Sequence, residues 1–407
     1  MQHDPFKTPA EIKAPALFWI KKNLFSSWLN TLLTLLSGWI IYVLLVKSII
    51  PLMDLDWMVI QDNLKLILTG SYPAEQLWRV WLCLGYVSLF GGITSRLSGP
   101  RMPKVLILIL AAEALLLMIG FSPTTRIALI ANIILALGGF VVASQLKPGK
   151  RTAIALLGWI GLMPFVFIVI QGFSGPLGVL LPLVKPNYWG GLLLSMIIAL
   201  TAIMLSFPVG LLLALGRRSS MRFVSFFCTI IIEVIRGVPL ITILFIGYLI
   251  VPLALPASMS PSVFFRAMIG IILFHAAYMA ENFRGGLQGI PRTQYEAAAS
   301  LNLGTFKTMV FIVLPQVLKR MIPVLVSAFT GILKDTSLIS IIGLLDLIGI
   351  STAIGSNPSY MTDSTQVLIF MAGIYFILCY SISAASVRIE QTLGVTKTTR
   401  RRIKHNG

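Results

Sequence analysis

The sequence predicts an all-α polytopic membrane protein of about ten transmembrane helices, and three observations carry that prediction. The composition is 57% hydrophobic and only 11% charged, with a mean hydropathy of +0.91. Many runs reach the roughly 20 apolar residues needed to cross a hydrocarbon core. The basic loops fall on every second connection, as cytoplasmic loops do. The formal charge of +18 therefore reads as topology information. It does not point to nucleic acid, because no basic patch interleaves with aromatics on a soluble domain.

A cytoplasmic segment, residues 1–27, carries Lys7, Lys13, Lys21 and Lys22. Its small-residue "APA" precedes the apolar stretch, the reverse of a signal-peptide cleavage order, so a retained first span is expected. An N-terminal extension of about five spans follows over residues 28–172: Trp28 to Ile50, Leu77 to Thr94, Lys104 to Gly120, Ile127 to Ala143 and Thr152 to Gln171. The Gly/Pro-rich stretch 173–187 is a linker. The second half, 188–390, runs Tyr188 to Gly216, Phe223 to Pro252, Val263 to Arg284, Met321 to Ile342 and Thr365 to Val387. A basic tail, 391–407, closes the chain. The segments "SRLSGPRMPK", "QLKPGKR", "GRRSSMR", the connection from Arg284 to Arg320 and the tail "TKTTRRRIK" are all basic. This alternation holds for ten spans and places both termini in the cytoplasm.

Cys83, Cys228 and Cys379 stand alone in apolar segments, and His3, His275 and His405 are scattered. Neither set has disulfide or metal-ligand spacing, so no metal or cofactor is expected on this chain. The nearest approach to a phosphate-binding loop, "KPGKRT", lacks its first glycine and its hydroxyl residue. Any ATP and magnesium must sit on another polypeptide.

The connection after the eighth span is too long for a turn. "YEAAASL" is good helix material with Glu296 near its start, where a helix favours an anion. Asn302 tolerates a left-handed backbone and ends that helix, and Gly304 adds freedom. A second short helix with Phe306, Met309, Val310, Val313 and Leu314 at helical spacing should precede Pro315. Together they form a compact hinged knob facing the cytoplasm. Periodicity alone equally allows a helix lying on the membrane.

The spacing E-A-A, three residues, Gly, nine residues, I-x-L-P resembles the cytoplasmic signature of ATP-binding-cassette importer permeases. Glu296, Ala297, Ala298, Ile312, Leu314 and Pro315 fit it, and Asn302 stands at the glycine position. The motifs "EVIRGVPLITILF", "AAYMAENFRGGLQGIPRTQYEAA", "LPQVLKRMIPVLVSAF" and "LKDTSL" resemble the polar amino acid uptake branch, the histidine/glutamine type. The front half, with "NLFSSWLNT" and "SYPAEQLWRVW", is similar to the longer permease of general L-amino acid importers. The resemblance implies a C-terminal five-helix type I importer core in a bacterial inner membrane, with residues 291–316 as the coupling segment docking on an ABC ATPase dimer. It further implies a second homologous permease subunit, forming a heterodimer, an extracytoplasmic solute-binding protein and an amino acid substrate moved by alternating access. The chain itself would not be an enzyme.

Ionisable residues at bilayer depth each need an explanation. Glu233 and Arg236 lie three apart on one helix, followed by Gly237 and Pro239. Lys334, Asp335, Thr336 and Ser337 lie together between apolar runs. A zwitterionic amino acid needs a cation for its carboxylate and an anion or carbonyl for its ammonium. These six residues are therefore candidates for the substrate pathway. The competing reading is that they pair with one another and only lock helices together. Glu281 and Arg284 read as structural beside the coupling segment, His275 as an interhelical hydrogen bond, and Glu113 as a bundle-interior contact. Intramembrane acids also permit a rival class, an ion- or proton-coupled secondary transporter, which leaves the coupling-segment spacing unexplained.

Overall fold

Apolar runs in this chain become helices because their backbone groups have no other way to be satisfied in hydrocarbon. The computed structural model describes residues 16–46, 57–98, 106–107, 109–111, 113–114, 123–256 and 260–392. Two compact units divide the chain, one within residues 1–59 and one within 60–407.

In the first unit a helix over Ala16–Leu24 leads to α1, Trp28–Leu44. Ser27 caps α1 by accepting the Asn30 N–H at 3.2 Å. The first span thus starts at the expected residue. Its expected end at Ile50 lies outside the described residues.

The second unit begins with short helices and then α2 (Trp78–Ser95), α3 (Pro123–Gln145) and α4 (Pro148–Gln171). Helices α2 and α3 approach through reciprocal glycines. A Cβ on Gly92 would lie 2.0 Å from the Ala136 carbonyl oxygen, and one on Gly139 would lie 2.3 Å from that of Leu89. Small residues permit such backbone approach between membrane helices. The Tyr86 hydroxyl donates to the Gly158 carbonyl at 2.8 Å, and Trp159 Nε1 donates to the Thr94 hydroxyl at 2.7 Å, tying α4 to the pair. Most of the expected span Lys104 to Gly120 lies outside the described residues, although 106–107, 109–111 and 113–114 are helical. Glu113 is buried there and accepts from the Ser88 hydroxyl.

The second half comprises α5 (Gly191–Arg217), α6 (Arg222–Arg236), α7 (Leu240–Phe245, with the helical run continuing to Ala254) and α8 (Val263–Gln288). After these come α9 (Arg292–Ser300), α10 (Leu314–Asp335), α11 (Leu347–Gly355) and α12 (Ser364–Thr392). Helix α8 is the central element. Its Phe264, Ala267 and Ile271 join one buried cluster with Trp189, Ile198 and Leu244. Its Met279, Phe283 and Leu287 join another with Ile290, Val313 and Val317. Among the described residues seven helical runs are long and apolar enough to cross a membrane, and the bent pair α6–α7 adds one more candidate. Helix α1 is apolar and 17 residues long.

Three expectations are corrected. The expected span Phe223 to Pro252 is not one straight helix: it bends by 103° between Arg236 and Leu240. Pro239 lacks a backbone N–H and pushes Val238 out of the helical region, which breaks the ladder there. The expected second short helix before Pro315 is instead the start of one helical run from Thr305 to Ile342. Its turns widen to a π-helix over Thr308–Val313, just ahead of the proline that cannot donate into a regular ladder. Finally, the loop expected after Ile342 contains α11, whose N-cap Asp346 accepts the Gly349 N–H at 2.9 Å.

Candidate functional site

The knob after α8 is built from its own sequence. Pro291, at φ −60°, precedes α9 and starts it. The helix stops at Asn302, the one described non-glycine residue with positive φ, +53°. The Asn302 N–H donates to the Ala299 carbonyl at 2.8 Å and the Leu303 N–H to that of Ala298 at 3.1 Å. These two bonds form a Schellman closure with asparagine in the left-handed position. Gly304, by contrast, sits at φ −65° and ψ 160°, which any residue can adopt. Its expected extra freedom is not used.

The knob is held rigidly to the long helix that follows. Gln316 Nε2 donates to Gln294 Oε1 at 3.0 Å, and Arg320 donates to the Gly289 carbonyl at 2.7 Å. Ala298 is buried against this base, while Glu296, Ala297, Asn302, Gly304 and Pro315 are exposed and Ile312 and Leu314 are half-buried. Leu301, 72% exposed, and Phe306, 77% exposed, add apolar surface to the tip. The sequence reading singled out Phe306 as part of a stripe and missed Leu301, whose only signal was its place beside the helix stop.

The ionisable candidates fall into two groups. Arg236 and Glu233 contact one another at 4.0 Å, but their shorter contacts reach other helices: Arg217 to Glu233 at 2.9 Å, and Arg236 to Glu281 at 3.4 Å. Arg217 also lies 3.6 Å from Glu281, and Arg284 donates to Glu281 through two nitrogens. Arg236 additionally lies over the Tyr278 ring, 5.6 Å from its centre. This network joins the ends of α5, α6 and α8, immediately before the knob. Arg217 was missed because nothing in its local sequence marks a partner so distant in the chain.

The second group lies farther from the knob. Asp335 Oδ2 is 3.3 Å from His275 Nε2. His275 stands six residues before Glu281 on α8, about 9 Å along the axis. Among the described residues Lys334 has no ion-pair partner, and with Ser337 it opens on a cavity of about 450 Å³ lined also by Tyr375, Phe376 and Cys379. Thr336 is fully buried and donates to the Leu333 carbonyl at 2.8 Å. The Ser337 hydroxyl donates to the Lys334 carbonyl at 2.7 Å. The cavity therefore offers the Lys334 ammonium in apolar surroundings, a cation suited to a carboxylate, while the Ser337 proton is committed to the Lys334 carbonyl.

A sequence model of the family described as "Binding-protein-dependent transport system inner membrane component" matches residues 206–393. The chain is 34% identical to the "Inner membrane amino-acid ABC transporter permease protein YhdY" of Escherichia coli (strain K12), over 98% of each chain. It is also 34% identical to the "Glutamate/glutamine/aspartate/asparagine transport system permease protein BztC" of Rhodobacter capsulatus, over 93% of this chain and 94% of that one. A crystal structure of an amino acid ABC transporter with histidines is 28% identical, with a TM-score of 0.44, covering 49% of this chain and 90% of the other. The front extension is thus shared with full-length relatives. The chain belongs to the inner-membrane components of binding-protein-dependent transport systems and is an amino-acid ABC transporter permease.

Proposed function

We propose that this permease receives the stroke of an ABC ATPase dimer through α9 and passes it to the membrane core along two rigid levers. The observation that carries this reading is the knob itself. It is a short exposed helix, closed by a left-handed asparagine and tied at its base to α8 and to the helical run Thr305–Ile342. Glu296, Ala297, Ala298, Asn302, Gly304, Ile312, Leu314 and Pro315 form this coupling element. ATP and magnesium belong to the ATPase partner. A displacement of the knob moves α8 and α10 together, because the Arg320 and Gln316 hydrogen bonds leave little independent play.

In this reading a second, homologous permease subunit completes the core, and a solute-binding protein delivers an amino acid from outside. The membrane is the bacterial inner membrane, and the knob and both termini face the cytoplasm. Lys334 receives the substrate carboxylate at the cavity that Ser337 also lines, and Asp335, 3.3 Å from His275, supplies an anion for its ammonium. Thr336 positions the turn that carries them. Glu233 and Arg236 act at the knob end of the bundle, where breaking and remaking their pairs accompanies the stroke.

Reconstitution of the assembled complex tests the proposal. Amino acid import should require ATP and the ATPase, and should persist when an uncoupler collapses the proton gradient. Import that survives loss of the ATPase and fails with the uncoupler would establish the ion-coupled alternative instead.

A further inference from the structure

Helix α6 lies across the ends of α5 and α8. Three contacts fix this. The Ser225 hydroxyl donates to the Arg217 carbonyl at 2.8 Å. Cys228 abuts Gly216, so closely that a Cβ there would lie 2.5 Å from its sulfur. Glu233 then pairs with Arg217 at 2.9 Å. Residues 225 to 233 cover about 12 Å of helix at 1.5 Å per residue, yet all three meet the same two residues at the end of α5. A helix folding straight back along α5 would carry residue 233 about 12 Å from residue 217, a span that only fully extended Arg217 and Glu233 side chains would bridge. The 103° bend into the next helix agrees with a crossing direction. With α5 along the membrane normal, α6 runs close to the membrane plane, on the face that carries the knob.

Its outward stripe is apolar: Phe223, Phe226, Phe227, Ile230 and Val234 recur at helical spacing and are all exposed, Phe223 by 78%. The polar side bears Glu233 and Arg236, which belong to the ionic network. At its beginning Arg218 and Arg222 are exposed, and neither has an ion-pair partner among the described residues.

We infer that α6 is an in-plane anchor for anionic phospholipid, with its aromatic stripe in the acyl boundary and Arg218 and Arg222 on headgroup phosphates. An apolar stripe flanked by arginines at a helix lying in the interface is what such a surface requires, and charge complementarity selects the anionic headgroup. Because Glu233 and Arg236 sit on the same helix, lipid held by α6 bears on the network that joins α5 to α8. The inference does not depend on the ATPase reading, since it uses only the membrane setting and the geometry of α6.

The test uses full-length chain in its assembled complex, with Cys83, Cys228 and Cys379 replaced by serine and single spin labels placed from position 223 to 234. The complex is placed in phosphatidylcholine vesicles with and without phosphatidylglycerol. Relative accessibility to oxygen and to a water-soluble nickel chelate should oscillate with the helical period, and positions 223, 227, 230 and 234 should share one shallow depth. A depth increasing steadily from 223 to 234 would make α6 part of a crossing helix. Loss of oxygen access along the stripe would make it a contact with the second permease. Either result overturns the anchor. In the same vesicles, Arg218→Gln with Arg222→Gln should lower enrichment of phosphatidylglycerol around the complex by up to about thirty-fold, from about fivefold per basic residue. Unchanged enrichment would remove the anionic-headgroup assignment.

Discussion

Replacing Asn302 with valine isolates the backbone geometry on which the knob depends. Position 302 sits at φ +53° and ends α9 with two hydrogen bonds, from its own N–H and from that of Leu303. A left-handed conformation costs an L-residue about 1–2 kcal/mol, with asparagine partly spared by its short polar side chain and glycine free of the penalty. Position 302 is exposed, so valine loses no packing and the cost appears as local opening. About 1–2 kcal/mol corresponds to roughly a five- to thirty-fold shift in the opening equilibrium. Hydrogen–deuterium exchange on the intact complex in nanodiscs should show the amides of Asn302's replacement and Leu303 exchanging faster by that factor. Exchange at the centre of α8 should be unchanged, and substrate-stimulated ATP hydrolysis should fall. Asn302→Gly should keep both protection and activity. Equal exchange in the valine variant and the native chain would refute the claim that this one residue closes the knob.

Other perturbations follow from the same contacts. Glu296→Lys changes an exposed side chain on α9 and should reduce co-purification of the ATPase without lowering the yield of folded permease; unchanged recovery would exclude Glu296 from the docking face. Glu281→Gln leaves Arg217, Arg236 and Arg284 without their shared anion. The network is partly exposed, so about 1–2 kcal/mol of stability should be lost, read as a lower melting midpoint in detergent that Glu281→Asp largely avoids. Lys334→Met and Asp335→Asn should each impair uptake at unchanged expression and unchanged substrate-stimulated ATPase activity. Normal transport in both would take the cavity out of the pathway. Gly92→Val forces α2 and α3 apart at the Ala136 carbonyl and should cost about 1–3 kcal/mol by overpacking, visible as faster proteolysis of the front bundle.

Much of the fold was legible because hydrocarbon imposes one demand, roughly 20 apolar residues with internally satisfied backbone. Helices α2, α3, α4, α5, α8 and α12 begin and end within a few residues of their sequence-based limits. The α9 stop was legible too, because left-handed backbone selects asparagine after glycine. Direction was not legible. Hydropathy scores the α6 residues the same whether the helix crosses the membrane or lies along it, and only Gly237 and Pro239 hinted at the break. Helix α11 went unread as well, since nine residues are short for a hydropathy window, although the D-x-x-G pattern from Asp346 to Gly349 is a usable cap signal. Ion partners were legible only within one helix. The i, i+3 pair Glu233–Arg236 is present, but its members' shorter contacts reach Arg217 and Glu281 through three-dimensional packing that no local spacing encodes.

The structural logic joins these pieces. The buried cluster around Phe283, Ile290 and Val317 seats the knob, and hydrogen bonds from Gln316 and Arg320 stiffen its base. The ionic network then lies directly above it on α8, with the Lys334 cavity farther from the knob, at the far end of α10. A force applied at α9 therefore meets the network before it reaches the cavity. The most direct measurement is photo-cross-linking from a benzophenone amino acid at position 301, the exposed tip of the knob, in membranes that contain the assembled transporter. The account predicts a cross-link to the ATPase subunit that changes in yield between the nucleotide-free and ATP-bound complex. A cross-link only to lipid or to the second permease, in both states, would contradict it.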